Sequence, residues 1–149
     1  MVEIAGSGVL GLAAPAVYWA GIGEVNWSGW LLWLLLWLQA IGSILYAYLR
    51  LSQREWQSIP PLRVRLSAAR LPLAVCGGSI AGVALLALSG WFSPLVTAAY
   101  LIQFAETVWG TFKPAVGMKP TAIGVRQLMI STLFMFIFAF LWVSVPLVT

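Results

Sequence analysis

The positive charges of this chain are confined to two short stretches that lie between long apolar runs. The eight Lys and Arg residues form one cluster of five and one of three: Arg50, Arg54, Arg63, Arg65 and Arg70, then Lys113, Lys119 and Arg126. Short cationic loops of membrane proteins stay on the cytoplasmic side of the bilayer. Both clusters lie on that side if an even number of crossings separates them. The charge pattern therefore predicts a multi-pass membrane protein with both basic clusters in the cytoplasm.

Five apolar runs are long enough to cross a bilayer as helices. They cover residues 4–22, 27–49, 71–88, 94–111 and 127–145. The first run contains Pro15 and several glycines, so a re-entrant segment is the alternative there, which leaves four spans. Five spans place the N-terminus inside and the C-terminus outside. We expect an all-α, polytopic transmembrane helix bundle that forms a single domain over residues 1–149.

The composition excludes several classes of function. Hydrophobic residues make up 62% of the chain and charged residues 8%, against about a quarter charged in a typical soluble domain. The chain has no His, no Asp and one Cys, so we predict no metal site, no disulfide and no catalytic residue. The net charge of +4 arises in the two basic clusters and reports orientation, so no nucleic-acid partner is expected. Glu3 stands where a signal peptide has a cationic region, so we expect the first run to remain in the mature protein.

Tryptophans recur at helical spacing in the second run and lie on one helix face. Trp27 and Trp30 fit an aromatic belt at the outer membrane surface, whereas Trp33 and Trp37 lie deeper. A flat aromatic wall at Trp33 and Trp37 would suit a lipid tail, a quinone, a carotenoid or another pigment. Helix packing is the alternative interpretation.

Gln103 and Glu106 are further candidates for contact with a ligand, because they share a face within the fourth predicted span. A carboxylate in a membrane usually faces protein or water. Glu106 either serves a substrate or a proton, or pairs with one of the cations: Lys113, Lys119, Arg126 or an Arg of the first cluster. An enzyme or transporter should bring Gln39, Gln103, Glu106 and a cation together at one cavity, whereas a structural subunit should leave them separated or paired.

Gly78 and Gly82 form a GxxxG motif in the third predicted span. Small residues one turn apart allow two helix backbones to approach closely. We interpret the motif as a helix-packing site inside the bundle, with contact to a partner subunit as the alternative.

Several cations are candidates for binding a lipid headgroup. They are Arg50 and Arg54 of the first cluster and Lys113, Lys119 and Arg126 of the second. The alternative is that these charges only determine the topology.

The segment from Trp30 through Trp142 resembles the C-terminal part of the YwiC-like family of bacterial integral membrane proteins. The resemblance lies in Gly42-Ser43-Ile44-Leu45-Tyr46 and in the stretch from Lys119 to Gln127. The family is similar, distantly, to UbiA-like prenyltransferases, which hold magnesium diphosphate through two Asp-rich motifs. This chain has no Asp, so the resemblance implies a shared fold and a groove for a hydrophobic chain, without prenyl transfer.

These features predict a non-catalytic accessory subunit that packs within a larger photosynthetic or respiratory membrane complex. Its partners would be membrane lipids and other subunits, and it would contact lipid, carotenoid or chlorophyll without His ligation. The expected location is a bacterial inner membrane, cytoplasmic or thylakoid-type. The alternative function is an isoprenoid- or lipid-handling enzyme or carrier with a degenerate UbiA-like groove.

Overall fold

The computed structural model describes residues 2–143, and these residues form helices joined by short connections, with no strand among them. The helices are α1 (Val2–Gly11), α2 (Ala13–Ile22), α3 (Trp27–Gln53), α4 (Leu62–Leu88), α5 (Val96–Phe112) and α6 (Pro120–Val143). Four segments are long and apolar enough to cross a bilayer, namely Val2–Ile22, α3, α4 and α6 up to Trp142. The prediction of an all-α, multi-pass helix bundle is confirmed. Residues 144 and 145 of the last predicted span lie outside the described residues.

The first apolar run is one helical segment with a break at Leu12. Pro15 has no N–H to donate to the carbonyl of Gly11, and its ring crowds that carbonyl, which accounts for the break. The indole nitrogen of Trp37 donates to the carbonyl of Ile4 at 3.0 Å, and that of Trp33 to the carbonyl of Gly8 at 2.8 Å. The segment therefore extends antiparallel along α3 and does not turn back on itself.

Three helices are longer at their basic ends than the apolar runs predict. α3 continues to Gln53, α4 begins at Leu62 directly after Pro60 and Pro61, and α6 begins with Pro120. Pro61 is the N-cap of α4, and Pro120 suits the first turn of α6 because its missing N–H has no helical acceptor there. Hydropathy marks where a helix leaves the lipid and not where its hydrogen bonds end, so Arg50, Arg63 and Arg126 are helical and not in loops.

The two basic clusters lie at the same end of the bundle. The backbone N–H of Gly117 donates to the carbonyl of Arg54 at 3.2 Å, and that of Ala115 to the Gln53 side chain at 3.2 Å. The connection between α3 and α4 thus contacts the connection between α5 and α6. The α4–α5 turn, where Gly90 adopts a φ of 85°, lies at the other end.

The 17-residue helix α5 is the central element. At about 26 Å it nearly matches the hydrocarbon core of a bilayer, and it packs against α3, α4 and α6. Its first half contributes to an apolar core with Leu35, Val83, Phe134 and Phe138. Its second half is different, because the residues buried there are mostly polar: Gln103, Glu106, Thr107, Gly110 and Thr111.

Candidate functional site

An ion pair lies between α5 and α6 in the polar half of the bundle. Glu106 is 7% exposed, and Arg126 binds it through two atoms, with Nε 2.5 Å from Oε1 and Nη2 2.9 Å from Oε2. Tyr46 on α3 donates its hydroxyl to Oε1 at 2.7 Å. A bidentate guanidinium is the strongest neutralising partner that a buried carboxylate can have. Of the cations proposed from the sequence, Arg126 is therefore the one that pairs with Glu106.

A cluster of amides and a hydroxyl follows one turn further from the basic end. Gln103 Oε1 accepts hydrogen bonds from Gln39 Nε2 at 3.4 Å, Ser43 Oγ at 3.1 Å and Gln127 Nε2 at 3.1 Å. Gln127 Nε2 also donates to Ser43 Oγ at 2.9 Å. α3, α5 and α6 are thereby joined at one oxygen atom. In the apolar interior such hydrogen bonds fix the rotational orientation of each helix about its own axis.

Arg50 lies at the basic end of the polar half of the bundle. Its side chain donates to the carbonyls of Gly110 at 3.1 Å and Lys113 at 2.6 Å, and to Gln53 Oε1 at 3.0 Å. These carbonyls end α5 and lack helical donors, so a cation there is favourable. The residue is 3% exposed. The prediction that Arg50 binds a lipid headgroup is corrected by this burial, because Nη1 and Nη2 bond to protein atoms.

The other predicted headgroup cations are more accessible. Lys113 and Lys119 are exposed, and Arg54 and Arg126 are half-buried. The Lys113 ammonium lies 4.3 Å from the centre of the Trp109 ring. A cation over an aromatic face in this position is typical of a membrane–water interface.

Trp33 and Trp37 lie on the face of α3 opposite to its polar residues. Their rings stack at 5.1 Å and donate to the carbonyls of α1, as described above. A Cβ at Gly8 would lie 2.9 Å from the Trp37 ring, so glycine allows this close contact. Gln103 and Glu106 bind the other face of α3. The structure therefore does not bring Trp33, Trp37, Gln103 and Glu106 into one ligand groove.

A groove does exist nearer the end of α3 that lies away from the basic clusters. It has a volume of about 360 Å³ and apolar walls that include Trp27, Trp30, Leu86 and Trp91. Trp33 is the one predicted groove residue that reaches it.

Gly78 and Gly82 face away from the bundle. A Cβ built at either residue would meet no atom within 4 Å. Gly78 is exposed, and the neighbouring turns expose Ala74 and Ala81. The prediction of helix packing inside the bundle is corrected, because α4 directs Cys76, Ser79 and Val83 inward instead.

The space beside the amide cluster is too small to hold water. The space bounded by Gln39, Gly42, Cys76, Ser79, Tyr100 and Gln103 has no volume for a water molecule. Within residues 2–143, no group of three His, Cys, Asp or Glu residues is placed to bind a metal. Gln39, Gln103, Glu106 and Arg126 are thus close together and each bonds to protein, although Gln103 Nε2 is buried without a hydrogen-bond partner in the described residues.

Sequence reasoning missed part of this site, although a signal was present. Gln39, Ser43, Tyr46, Arg50 and Gln53 follow one another at spacings of four, three, four and three on α3. This heptad-like spacing puts all five on one helix face. Read together, they predict a polar stripe directed at other helices, because lipid offers such groups no partner.

Comparison with known proteins finds no relative of this chain. No protein-family model matches the chain, and no curated protein or solved structure is significantly similar to it. The resemblance to the YwiC-like family stays a prediction.

Proposed function

We propose that the protein is a non-catalytic accessory subunit that packs beside other subunits of a larger membrane complex, photosynthetic or respiratory, in a bacterial inner membrane. The observation that carries the proposal is that the two buried charged residues, Glu106 and Arg50, bond to partners within the bundle. Glu106 is bonded to Arg126 and Tyr46, and Arg50 to backbone carbonyls. An active or transport site needs such groups to face a substrate or water. Here they join helices and make a rigid scaffold.

The outward face of α4 supports the same proposal. Ala74, Gly78, Ala81 and Gly82 leave a shallow surface on which a helix of another subunit can approach closely. The glycines meet nothing inside the bundle, so their lack of side chains has no internal packing purpose.

Site-specific photocrosslinking in the native membrane tests the proposal. A photoreactive residue at position 78 is expected to crosslink to one defined membrane protein, and the same residue at position 139, an exposed alanine of α6, is not. Changing Gly82 to Ile should abolish the crosslink without destabilising the isolated chain in thermal unfolding, since a Cβ there meets no atom within 4 Å. Purification of an uncrosslinked monomer from both positions contradicts the subunit proposal.

The apolar groove favours a second candidate, an isoprenoid- or lipid-handling protein. Its volume of about 360 Å³ lies within the range of small-molecule sites, and its aromatic walls suit a polyene or quinone. Under this proposal the purified protein retains such a compound, and Trp91→Ala releases it. Organic extraction followed by absorption spectroscopy separates this candidate from a subunit that carries no ligand.

A further inference from the structure

A second groove runs along the lipid-facing side of α6, beside the accessible cations of the second basic cluster. The groove has a volume of about 640 Å³. Ala122, Val125 and Met129 are exposed along it. α6 begins at Pro120, so the groove covers roughly its first three turns, which is the part nearest the basic end. Two of the groove's wall residues, Thr121 and Arg126, are polar, and the others are apolar: Met118, Ala122, Val125, Met129 and Ile130.

Arg126 keeps hydrogen-bonding capacity beyond its ion pair. A guanidinium has five N–H donors, and the pair with Glu106 uses Nε and Nη2. Within residues 2–143, Nη1 makes no hydrogen bond, and the Arg126 side chain is 41% exposed. Glu106 thus fixes the orientation of the guanidinium without using all of it. The remaining donors are suited to a second anion, and a guanidinium fork matches the geometry of phosphate as it does that of carboxylate.

The surroundings of Arg126 carry a surplus of positive charge at interface depth. Lys113 and Lys119 are exposed, and Glu106 is the carboxylate that this cluster contacts in the described part of the chain. Trp109 lies beneath Lys113 and within 5.9 Å of Arg126, and it is 44% exposed. Partly exposed tryptophans and cations together mark the level of the lipid headgroups. An apolar groove therefore starts where headgroup phosphates lie.

We propose that this groove binds one anionic phospholipid. The phosphate contacts Arg126, Lys119 and Lys113 add attraction, and an acyl chain follows Val125 and Met129 along α6. Each cation near an anionic headgroup adds attraction, so charge selects the lipid and the groove positions it. The proposal goes beyond the role of an accessory subunit. Lipid binding needs no partner subunit, so either proposal can fail without the other.

Lipid titration of the isolated full-length chain tests the proposal. Native mass spectrometry counts palmitoyl-oleoyl phosphatidylglycerol and, in parallel, the phosphatidylcholine with the same chains. We expect phosphatidylglycerol to bind with a dissociation constant that is lower by a factor of at least about ten, because more than one cation contributes. Ala122→Phe fills the groove from an exposed position and should remove this preference. Ala139→Phe, a matched change at an exposed residue further along α6, should leave it intact.

A charge variant and a competitor complete the test. Lys119→Gln, in the exposed connection, should weaken phosphatidylglycerol binding about fivefold without disturbing the ion pair of Arg126. Millimolar inorganic phosphate should not displace the lipid, because it cannot occupy the apolar part of the groove. Equal binding of both lipids, an Ala122→Phe protein that binds like Ala139→Phe, or displacement by inorganic phosphate would each overturn the proposal.

Discussion

At the scale of single residues, the carboxylate of Glu106 determines most of what the polar half of the bundle contains. A charge within a membrane costs about 3 kcal/mol on insertion scales, and here Arg126 and Tyr46 offset that cost. Removing Glu106 or Arg126 alone destabilises the protein by more than the ion pair contributes to stability, because the remaining charge then has no partner.

A double-mutant cycle measures this coupling. Glu106→Gln should destabilise the protein by about 2 kcal/mol, a value kept low because Arg126 is partly exposed and can turn toward water. Glu106→Gln combined with Arg126→Gln should be at least 1 kcal/mol more stable than Glu106→Gln alone, since no charge is left unpaired. Unfolding in mixed micelles gives both values. A double variant that is less stable than the single variant argues against the pair as the reason for Glu106.

At the scale of helices, Gly78 of α4 and Gly110 of α5 have opposite purposes. A Cβ at Gly110 would lie 2.6 Å from atoms of the Tyr46 ring, whereas a Cβ at Gly78 would meet nothing. Gly110 therefore permits α3 and α5 to approach each other at the level of the ion pair. Gly78 permits only an approach from outside the bundle.

The same substitution at both glycines separates these purposes. Gly110→Ala should cost about 1–3 kcal/mol, because Tyr46 must move away from its bond to Glu106. Gly78→Ala should be neutral or stabilising by up to about 1 kcal/mol, because alanine favours the helix. Thermal unfolding of the isolated chain in detergent is the measurement. Equal effects of the two changes would show that the α3–α5 contact does not depend on Gly110.

At the scale of the whole molecule, the arrangement of the helices gathers the positive charge at one end. The backbone bond between Gly117 and Arg54 joins the two basic connections. From the positive-inside rule we expect this end to face the cytoplasm and the connection that contains Glu24 to face the other side.

Cysteine labelling in intact cells tests this orientation. The single native Cys76 is buried and is replaced by Ala as the background. Glu24→Cys and Ser89→Cys should react with a membrane-impermeant thiol reagent in whole cells, whereas Ser58→Cys and Lys119→Cys should react only after the membrane is opened; all four positions are exposed. Labelling of Ser58→Cys and Lys119→Cys on opposite sides would contradict the bundle itself.

The sequence by itself determined that the chain is an all-α membrane protein and that Glu106 needs a partner. Apolar length and the placement of cations carry that information, because water and lipid accept different side chains. Only the tertiary structure decided that Arg126 is the partner, that Arg50 is buried, that Trp33 and Trp37 contact α1, and that Gly78 faces outward. In lipid both faces of a helix are apolar, so hydropathy does not encode which face turns inward. That rotation is set by packing and by the few hydrogen bonds between helices, which exist only once the helices have assembled.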